Sequence, residues 1–409
     1  MPNIKYYLNN IPKDSVKGVE YKNIIIKKNI ITFFTQNRRS TIASLAQELK
    51  MSIPSITKLI NEMISEGIII DSGKIATNGG RRPNIYGLAE SSIYFIGINV
   101  SKRHISFVLT DLSNEIIDIK RNIPFQLKNT DECLEDLCSQ INKYVAELDI
   151  DSDKIMGVGM TLSGRVNSKS GYSYYYFNNT EKPLSQILEE KTGFTFLIEN
   201  ETRSSCYAEY LNGREKGVKN LLYFYLSHGL AVGIIVDGKL YYGKSGFAGE
   251  FGHSPFFNNG IICQCGKKGC LETEISGQAL ERTMINKINE GNTTMLSESY
   301  KEKQTLSLTD IIVAAKKEDV LSIELIEEMA RKAGKSIATL INMFNPEQLI
   351  IGGTIAAAGD YFMLPMISAV NKYSLSLVNK DTEFSLSQLG EDGEVLGVAM
   401  LIKEKILGN

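Results

Sequence analysis

No apolar run in the 409 residues approaches the ~20 that a membrane-spanning helix requires. The opening Met1-Pro2-Asn3-Ile4-Lys5-Tyr6-Tyr7 has neither a secretory apolar core nor a small-residue cleavage site. Low-complexity segments are absent, and six cysteines in a chain this long are too few for a disulfide scaffold. Nor is there an excess of one charge, the net value being −2. With 43% hydrophobic and 22% charged residues, disordered, collagen-like and coiled-coil chains are excluded. These absences leave the expectation of a cytoplasmic, soluble protein of two to three domains at ~150 residues each.

The small net charge hides an asymmetry. Residues 1–90 carry 13 Lys and Arg against 7 Asp and Glu, a surplus of +6 that leaves −8 on the remainder. A basic head on an acidic body fits a polyanion-binding module joined to something that binds no polyanion.

Residues 20–88 read as three helices and a hairpin. Ile24, Ile31 and Phe34 give the stripe of the first helix; Ile42, Leu45, Ala46 and Leu49 give the second, after possible caps Ser40 and Thr41. The third follows the turn Lys50-Met51-Ser52, with Pro54 in its first turn and Ile56, Leu59, Ile60, Met63 and Ile64 buried. Its other face shows Ser55, Thr57, Lys58 and Asn61, side chains able to bond base edges or phosphates. A strand Ile68-Ile69-Ile70, a turn Asp71-Ser72-Gly73 and the segment Gly79-Gly80-Arg81-Arg82-Pro83 complete a hairpin with a basic tip. This is the pattern of a winged helix-turn-helix, with Arg81 and Arg82 suited to phosphates or a narrow minor groove. The blander alternative is a helical protein-interaction module with a solvated basic surface; the regional charge and the Gly-Gly-Arg-Arg-Pro wing favour double-stranded DNA.

From about residue 92 the texture becomes alternating strands and helices, which over ~300 residues indicates an α/β body of two lobes. Expected strands are 93–100, 105–112, 155–160, 195–198, 221–226, 231–236 and 348–351; expected helices are 132–148, 201–212, 273–290, 308–316 and 320–344. Within the body, His253, Cys263, Cys265 and Cys270 supply one imidazole and three thiolates, with glycines 260, 266 and 269 to fold the loop tightly. Three cysteines within eight residues of an otherwise cysteine-poor chain point to a structural zinc site, closed because four protein donors leave no place for water.

The arrangement Gly249-Glu250-Phe251-Gly252-His253, nine residues, Cys263-x-Cys265-x4-Cys270-Leu271-Glu272 resembles the signature of the ROK family (repressors, open reading frames and kinases). The resemblance implies a two-lobed, actin-like ATPase fold with a sugar in its cleft, over residues 89–409, with the zinc loop at 253–270. A winged helix-turn-helix over 1–88 is what the family's repressor branch adds, the xylose and N-acetylglucosamine repressors among them. Residue by residue, the resemblance implies sugar contacts at Gly164, Arg165, Asn200, Glu201, Glu250, His253 and Glu272. Carboxylates suit vicinal hydroxyls, since each can accept bonds from two neighbours. His253 would give one nitrogen to the metal and the other to a hydroxyl, the ion fixing its tautomer.

Three departures separate the chain from the family's kinases. Where a kinase has an Asp-x-Gly-Gly-Thr-like phosphate loop, this chain has Asn99-Val100-Ser101-Lys102-Arg103; the second phosphate segment reads Leu226-Ser227-His228-Gly229-Leu230-Ala231; and Glu201 stands at the position of the general-base aspartate. The expectation is a non-enzymatic, sugar-responsive DNA-binding regulator, a repressor released by a monosaccharide and acting as a homodimer or dimer of dimers. The alternatives are an active ATP-dependent sugar kinase with a DNA-binding appendage, and a DNA-binding protein whose body only oligomerises. The tyrosines 172, 174, 175 and 176 fit either stacking on a sugar ring or packing.

Overall fold

The computed structural model describes residues 4, 7, 18–37, 39–74, 83–213 and 217–407. Two compact units emerge: Met1–Glu199 with Val398–Asn409, and Asn200–Gly397.

The first unit begins with helix α1 (Val19–Asn37), strand β1 (Arg39–Ser40), α2 (Ile42–Glu48) and α3 (Ile53–Ser65). Thr41 caps α2, its hydroxyl accepting the Ser44 amide at 3.2 Å. Strands β2 (Ile69–Lys74) and β3 (Asn84–Leu88) pair antiparallel, and β1 joins β3 to make a three-stranded sheet. The turn expected at Asp71-Ser72-Gly73 is instead strand. Register shifts between Asp71 and Lys74, and the Asp71 carboxylate accepts the Gly73 amide at 2.9 Å and the Asn84 carboxamide at 2.6 Å, so the bulge is held within the ladder. The wing residues Gly79, Gly80, Arg81 and Arg82 lie outside the described residues.

A five-stranded sheet follows, made of β4 (Tyr94–Val100), β5 (His104–Asp111), β6 (Ile116–Pro124), β7 (Ile155–Leu162) and β10 (Phe196–Asn200), in the order β10-β7-β4-β5-β6. Strand β7 is buried along its whole length. Val158, Met160 and Leu162 join the core with helices α4 (Asp131–Glu147) and α5 (Leu184–Thr192). Two of the alternate residues, 157 and 159, are glycines for a reason of space. A Cβ on Gly159 would stand 2.2 Å from the Val398 carbonyl oxygen, and one on Gly157 2.6 Å from Ile406, because the last helix, α13 (Asp392–Leu407), lies directly against the strand. A small hairpin, β8 (Val166–Asn167) with β9 (Tyr172–Ser173), leaves the end of β7.

The second unit repeats this plan. Strands β11 (Leu221–Leu226), β12 (Leu230–Val236), β13 (Lys239–Leu240), β14 (Gln348–Gly352) and β15 (Glu383–Leu386) run in the order β13-β12-β11-β14-β15. In each sheet the central strand pairs antiparallel with its hairpin partner and parallel with the strand beyond: β4 with β5 and β7, β11 with β12 and β14. Helix α6 (Glu201–Asn212) packs so closely on β12 that a Cβ on Gly233 would meet Cys206 at 2.3 Å. Helices α7 (Gly277–Asn289), α8 (Ser297–Lys303), α9 (Leu308–Lys316), α10 (Val320–Phe344), α11 (Asp360–Tyr373) and α12 (Ser376–Asn379) complete the unit, with most of its core on α7, α9, α10 and α11. No helix among the described residues is long and apolar enough to cross a membrane.

Candidate functional site

Helix α3 starts at Ser52, whose hydroxyl accepts the Ser55 amide at 3.4 Å, and Pro54 occupies its first turn. Ile56, Leu59, Ile60 and Met63 are buried, while Ser55, Lys58 and Asn61 are exposed and Thr57 is half-buried. Thr57 donates its hydroxyl proton to the Ile53 carbonyl at 2.8 Å, so towards solvent it offers a methyl group and a lone pair. Thr57, Lys58 and Asn61 line a shallow groove with Ile53, Pro54, Glu62 and Ser65.

The far end of α3 is fixed by a buried ionic cluster that sequence periodicity does not reveal. Lys27 of α1 is 6% exposed, and its ammonium lies 2.8 Å from Glu66, 3.1 Å from Glu62 and 3.1 Å from the Tyr7 hydroxyl. Tyr7 in turn donates to Glu66 at 3.0 Å. Burial disfavours the ammonium, but the bonds to Glu66, Tyr7 and Glu62 outweigh it and hold the Lys27 pKa above its ordinary value.

In the second unit, His253, Cys263, Cys265 and Cys270 converge, with their ligand atoms within 4.8 Å of one another. Cys263 Sγ stands 3.5 Å from His253 Nδ1, and Cys265 Sγ stands 3.6 Å from Cys270 Sγ. A disulfide sits at ~2.05 Å, so these are not bonded sulfurs. Tetrahedral zinc with ~2.3 Å bonds to sulfur and ~2.0 Å bonds to nitrogen separates its ligand atoms by about 3.5–3.8 Å, close to these two separations. Burial and the adjacent Cys265 and Cys263 push the Cys270 thiol up to about 12, and a divalent cation is the group that reverses such a shift. The residues therefore fit a metal. Backbone holds the loop ready: the amides of Phe256 and Phe257 donate to the Gly269 carbonyl at 2.9 and 3.0 Å, and Cys263 donates to Lys267 at 2.8 Å.

Two carboxylates flank the histidine. His253 Nε2 lies 3.7 Å from Glu250, and Nδ1 lies 3.8 Å from Glu272. Burial raises the Glu272 pKa, with Glu250 adding to the rise while His253 and the Leu230 amide oppose it. Two glycines place this group by letting the loop's backbone run against β12. A Cβ on Gly249 would be 1.9 Å from the Val232 carbonyl oxygen, and one on Gly252 2.3 Å from that of Leu230. The Gly249 carbonyl also accepts the Val232 amide at 2.9 Å.

Asn200 and Glu201 stand where β10 passes into α6. The Asn200 side chain caps the helix, accepting the amides of Thr202 at 3.0 Å and Arg203 at 3.3 Å. Arg203, which the sequence pattern did not single out, is buried and donates to the Gly246 carbonyl at 2.7 Å, with its guanidinium 5.7 Å from the Tyr242 ring centroid. It thereby ties the head of α6 to the loop that carries Glu250. Gly164 and Arg165 belong to the first unit, in the turn between β7 and β8; Gly164 has φ +87° and Arg165 is exposed. Of the seven sugar-site residues expected, the structure brings Glu250, His253 and Glu272 into one cluster and sets Asn200 and Glu201 at the head of the helix that braces it.

The segments aligned with phosphate loops are tight hairpin turns. Asn99 accepts the Thr161 hydroxyl at 2.7 Å, and Ser101 closes the β4–β5 turn by hydrogen bonds with His104. The carbonyls of Ser227 and His228 accept the first amides of α7, from Gly277 at 2.8 Å and Gln278 at 3.2 Å.

A model of the ROK family matches residues 95–405, and a model of a winged helix-turn-helix DNA-binding domain matches residues 25–70. The chain belongs to the ROK family. This ROK protein is 29% identical to a putative xylose repressor of Caldicellulosiruptor sp. (strain Rt8B.4), over 94% of this chain and 96% of the relative. It is 28% identical to a glucokinase of Halalkalibacterium halodurans, over 77% of this chain and 96% of that relative. The crystal structure of a ROK family transcriptional regulator, a homolog of the E. coli Mlc protein, matches with a TM-score of 0.74 at 27% identity, covering 90% of this chain and 93% of that one. The fold is thus the actin-like α/β body of the ROK family behind an N-terminal winged helix-turn-helix, as the motif spacing led one to expect.

Proposed function

We propose that this ROK protein is a sugar-responsive DNA-binding transcriptional regulator, a repressor released from operator DNA by a monosaccharide. The observation that carries this is the presence in one chain of an outward polar face on α3 and of the Glu250–His253–Glu272 cluster. The reach of the repressor alignment over nearly the whole chain, where the kinase alignment leaves the remainder unmatched, supports the same reading. The division of labour places residues 1–88 on DNA and 89–409 on the sugar. Ser55, Thr57, Lys58 and Asn61 contact base edges or phosphates at the major groove, with Arg81 and Arg82 of the wing on phosphates or the minor groove. The protein acts in the cytoplasm as a homodimer or dimer of dimers, because two-fold symmetry matches a palindromic site.

The sugar's hydroxyls are bound by Glu250, His253, Glu272, Asn200 and Glu201. His253, Cys263, Cys265 and Cys270 hold a structural zinc, which supplies a fixed, closed four-ligand anchor and no site for water. With a metal held by these four residues the His253 ring would be fixed in place, and its Nε2 stands 3.7 Å from Glu250. No sugar kinase activity is assigned: Asn99 and the turn of Ser101, Lys102 and Arg103 stand where a kinase needs a carboxylate and glycines, and Glu201 replaces the base aspartate. The glucokinase relative favours the second reading, an ATP-dependent sugar kinase with a DNA-binding appendage.

A mobility-shift titration on the gene's own upstream DNA, at fixed salt and with a monosaccharide panel, tests the proposal. Sequence-selective binding released by one sugar is expected. Selective binding that no sugar alters refutes the sugar response, and sugar-dependent ADP release that Glu201→Gln abolishes establishes the kinase instead.

A further inference from the structure

The outward face of α3 is apolar at its N-terminal end. Ile53, the first residue of the helix, is 54% exposed, and Pro54 beside it is exposed as well. Thr57 lies one turn on, on the same side. Its hydroxyl is committed to the Ile53 carbonyl at 2.8 Å, which holds the branched side chain in one orientation. The serines of the first turn are occupied too: the Ser52 and Ser55 hydroxyls bond each other at 2.7 Å, and Ser52 also accepts the Ser55 amide. Further along the groove Glu62 already faces Lys27 at 3.1 Å, while Lys58 and Asn61 are exposed. The helix contains no arginine, the commonest reader of guanine.

We propose that Ile53 and the Thr57 methyl group select thymine by its C5-methyl group in the major groove. The inference rests on the DNA-binding reading above and deepens it by naming the base feature that is read. Base pairs differ in the groove by their donors and acceptors and by one apolar feature, the thymine methyl. Hydrogen-bonding side chains leave that methyl in water, whereas an exposed isoleucine and a fixed threonine methyl remove it from water along with themselves. Asn61, one turn beyond Thr57, matches the N6 and N7 edge of adenine. The helix is therefore set for A·T pairs, with Lys58 as its cation. Neither apolar residue contributes to the buried stripe of Ile56, Leu59, Ile60 and Met63, so their place on the outer face is not a demand of the core.

The test begins with a duplex that the full chain selects from a pool with a randomised core. That duplex is then remade with deoxyuridine in place of one thymidine at a time, which removes a methyl group and leaves base pairing unchanged. Affinities are measured by fluorescence anisotropy at one salt concentration. The parent should lose about fourfold for each thymine methyl it covers. Thr57→Ser, which keeps the hydroxyl and drops the methyl, and Ile53→Ala should each bind the thymine and uracil duplexes about equally at the position affected. Thr57→Val, which keeps a methyl and drops the hydroxyl, should stay within about twofold of the parent and retain its preference for thymine. If the parent binds a selected duplex but no uracil substitution weakens it, the methyl reading is refuted and the DNA reading stands. Loss of the thymine preference in Thr57→Val but not in Thr57→Ser assigns the contact to the hydroxyl and likewise overturns the proposal. If no duplex is enriched over the starting pool, the DNA reading fails and the inference falls with it.

Discussion

Replacing Cys270 with serine isolates the role of the thiol cluster. Cys270 is fully buried, 3.6 Å from Cys265 Sγ, and its neighbour Leu271 leads straight to Glu272. Four donors sharing the ~10–16 kcal/mol typical of a structural zinc site give about 3 kcal/mol each, or roughly a hundredfold in metal affinity. The consequence for the ligand is smaller but measurable. With one donor gone, His253 loses the partner that aims its ring, and the loss of such an orienting contact costs ~10–100-fold. Metal content after dialysis against a chelator, read by mass spectrometry, and sugar affinity by calorimetry are the two assays. Parent protein should retain zinc and Cys270→Ser should lose it, with sugar binding weakened about tenfold. Cys133→Ser, at a buried thiol far along the chain in the other unit, is the control and should change neither. Undiminished zinc in Cys270→Ser, or identical sugar affinity in stripped and loaded protein, would refute the reasoning.

Lys27→Met should destabilise the protein by ~2–3 kcal/mol in denaturant unfolding. It leaves Glu66 (13% exposed) and Glu62 (38% exposed) facing each other, and the exposure of Glu62 lowers the cost from the ~3–5 kcal/mol of a fully buried pair. Adding Glu66→Gln should restore part of the loss. Because the folded pKa of Lys27 is raised, its contribution is complete below the unfolded value of ~10.5 and fades as pH climbs through the folded one. The difference between parent and Lys27→Met should therefore be flat near neutrality and shrink only at strongly alkaline pH; a difference that grows there contradicts the assignment. On DNA, Lys58→Ala should weaken binding evenly across sequences and reduce the salt slope by ~1. Asn61→Ala should instead relax the preference at one base pair by ~1–3 kcal/mol; an unchanged salt slope for the former removes Lys58 from the interface.

What the sequence disclosed was local. The metal donors fall within one short stretch, so their spacing alone announced the cluster, and α3 was legible because its apolar stripe and cap lie within a few turns. Strand 221–226 and helices 201–212, 308–316 and 320–344 coincide with the expected ranges. Strand β6 escaped notice because it is largely exposed and its pairing with β5 slips register twice, which breaks the alternation. Helix α11 carries Pro365 inside it, and α13 carries Gly393 and Gly397, residues that argue against helix locally and are outweighed by packing. The helix expected from 273 starts at Gly277, where Ser276 accepts the Ala279 amide. In the site, Arg203 and the Lys27 cluster were invisible because their partners are distant in sequence: Gly246 is 43 residues from Arg203, and Tyr7 and Glu66 are 20 and 39 from Lys27.

The pressing of the Gly249–Gly252 backbone against β12 also bears on how such a regulator diversifies. With carbonyl oxygens 1.9 and 2.3 Å from where a first side-chain carbon would stand, neither glycine can be exchanged without displacing a sheet strand. Glu250 and His253 thus ride on a segment whose course is closed to gradual change. On the proposed reading, a different inducer is accommodated by changing side chains rather than the Gly249 and Gly252 backbone.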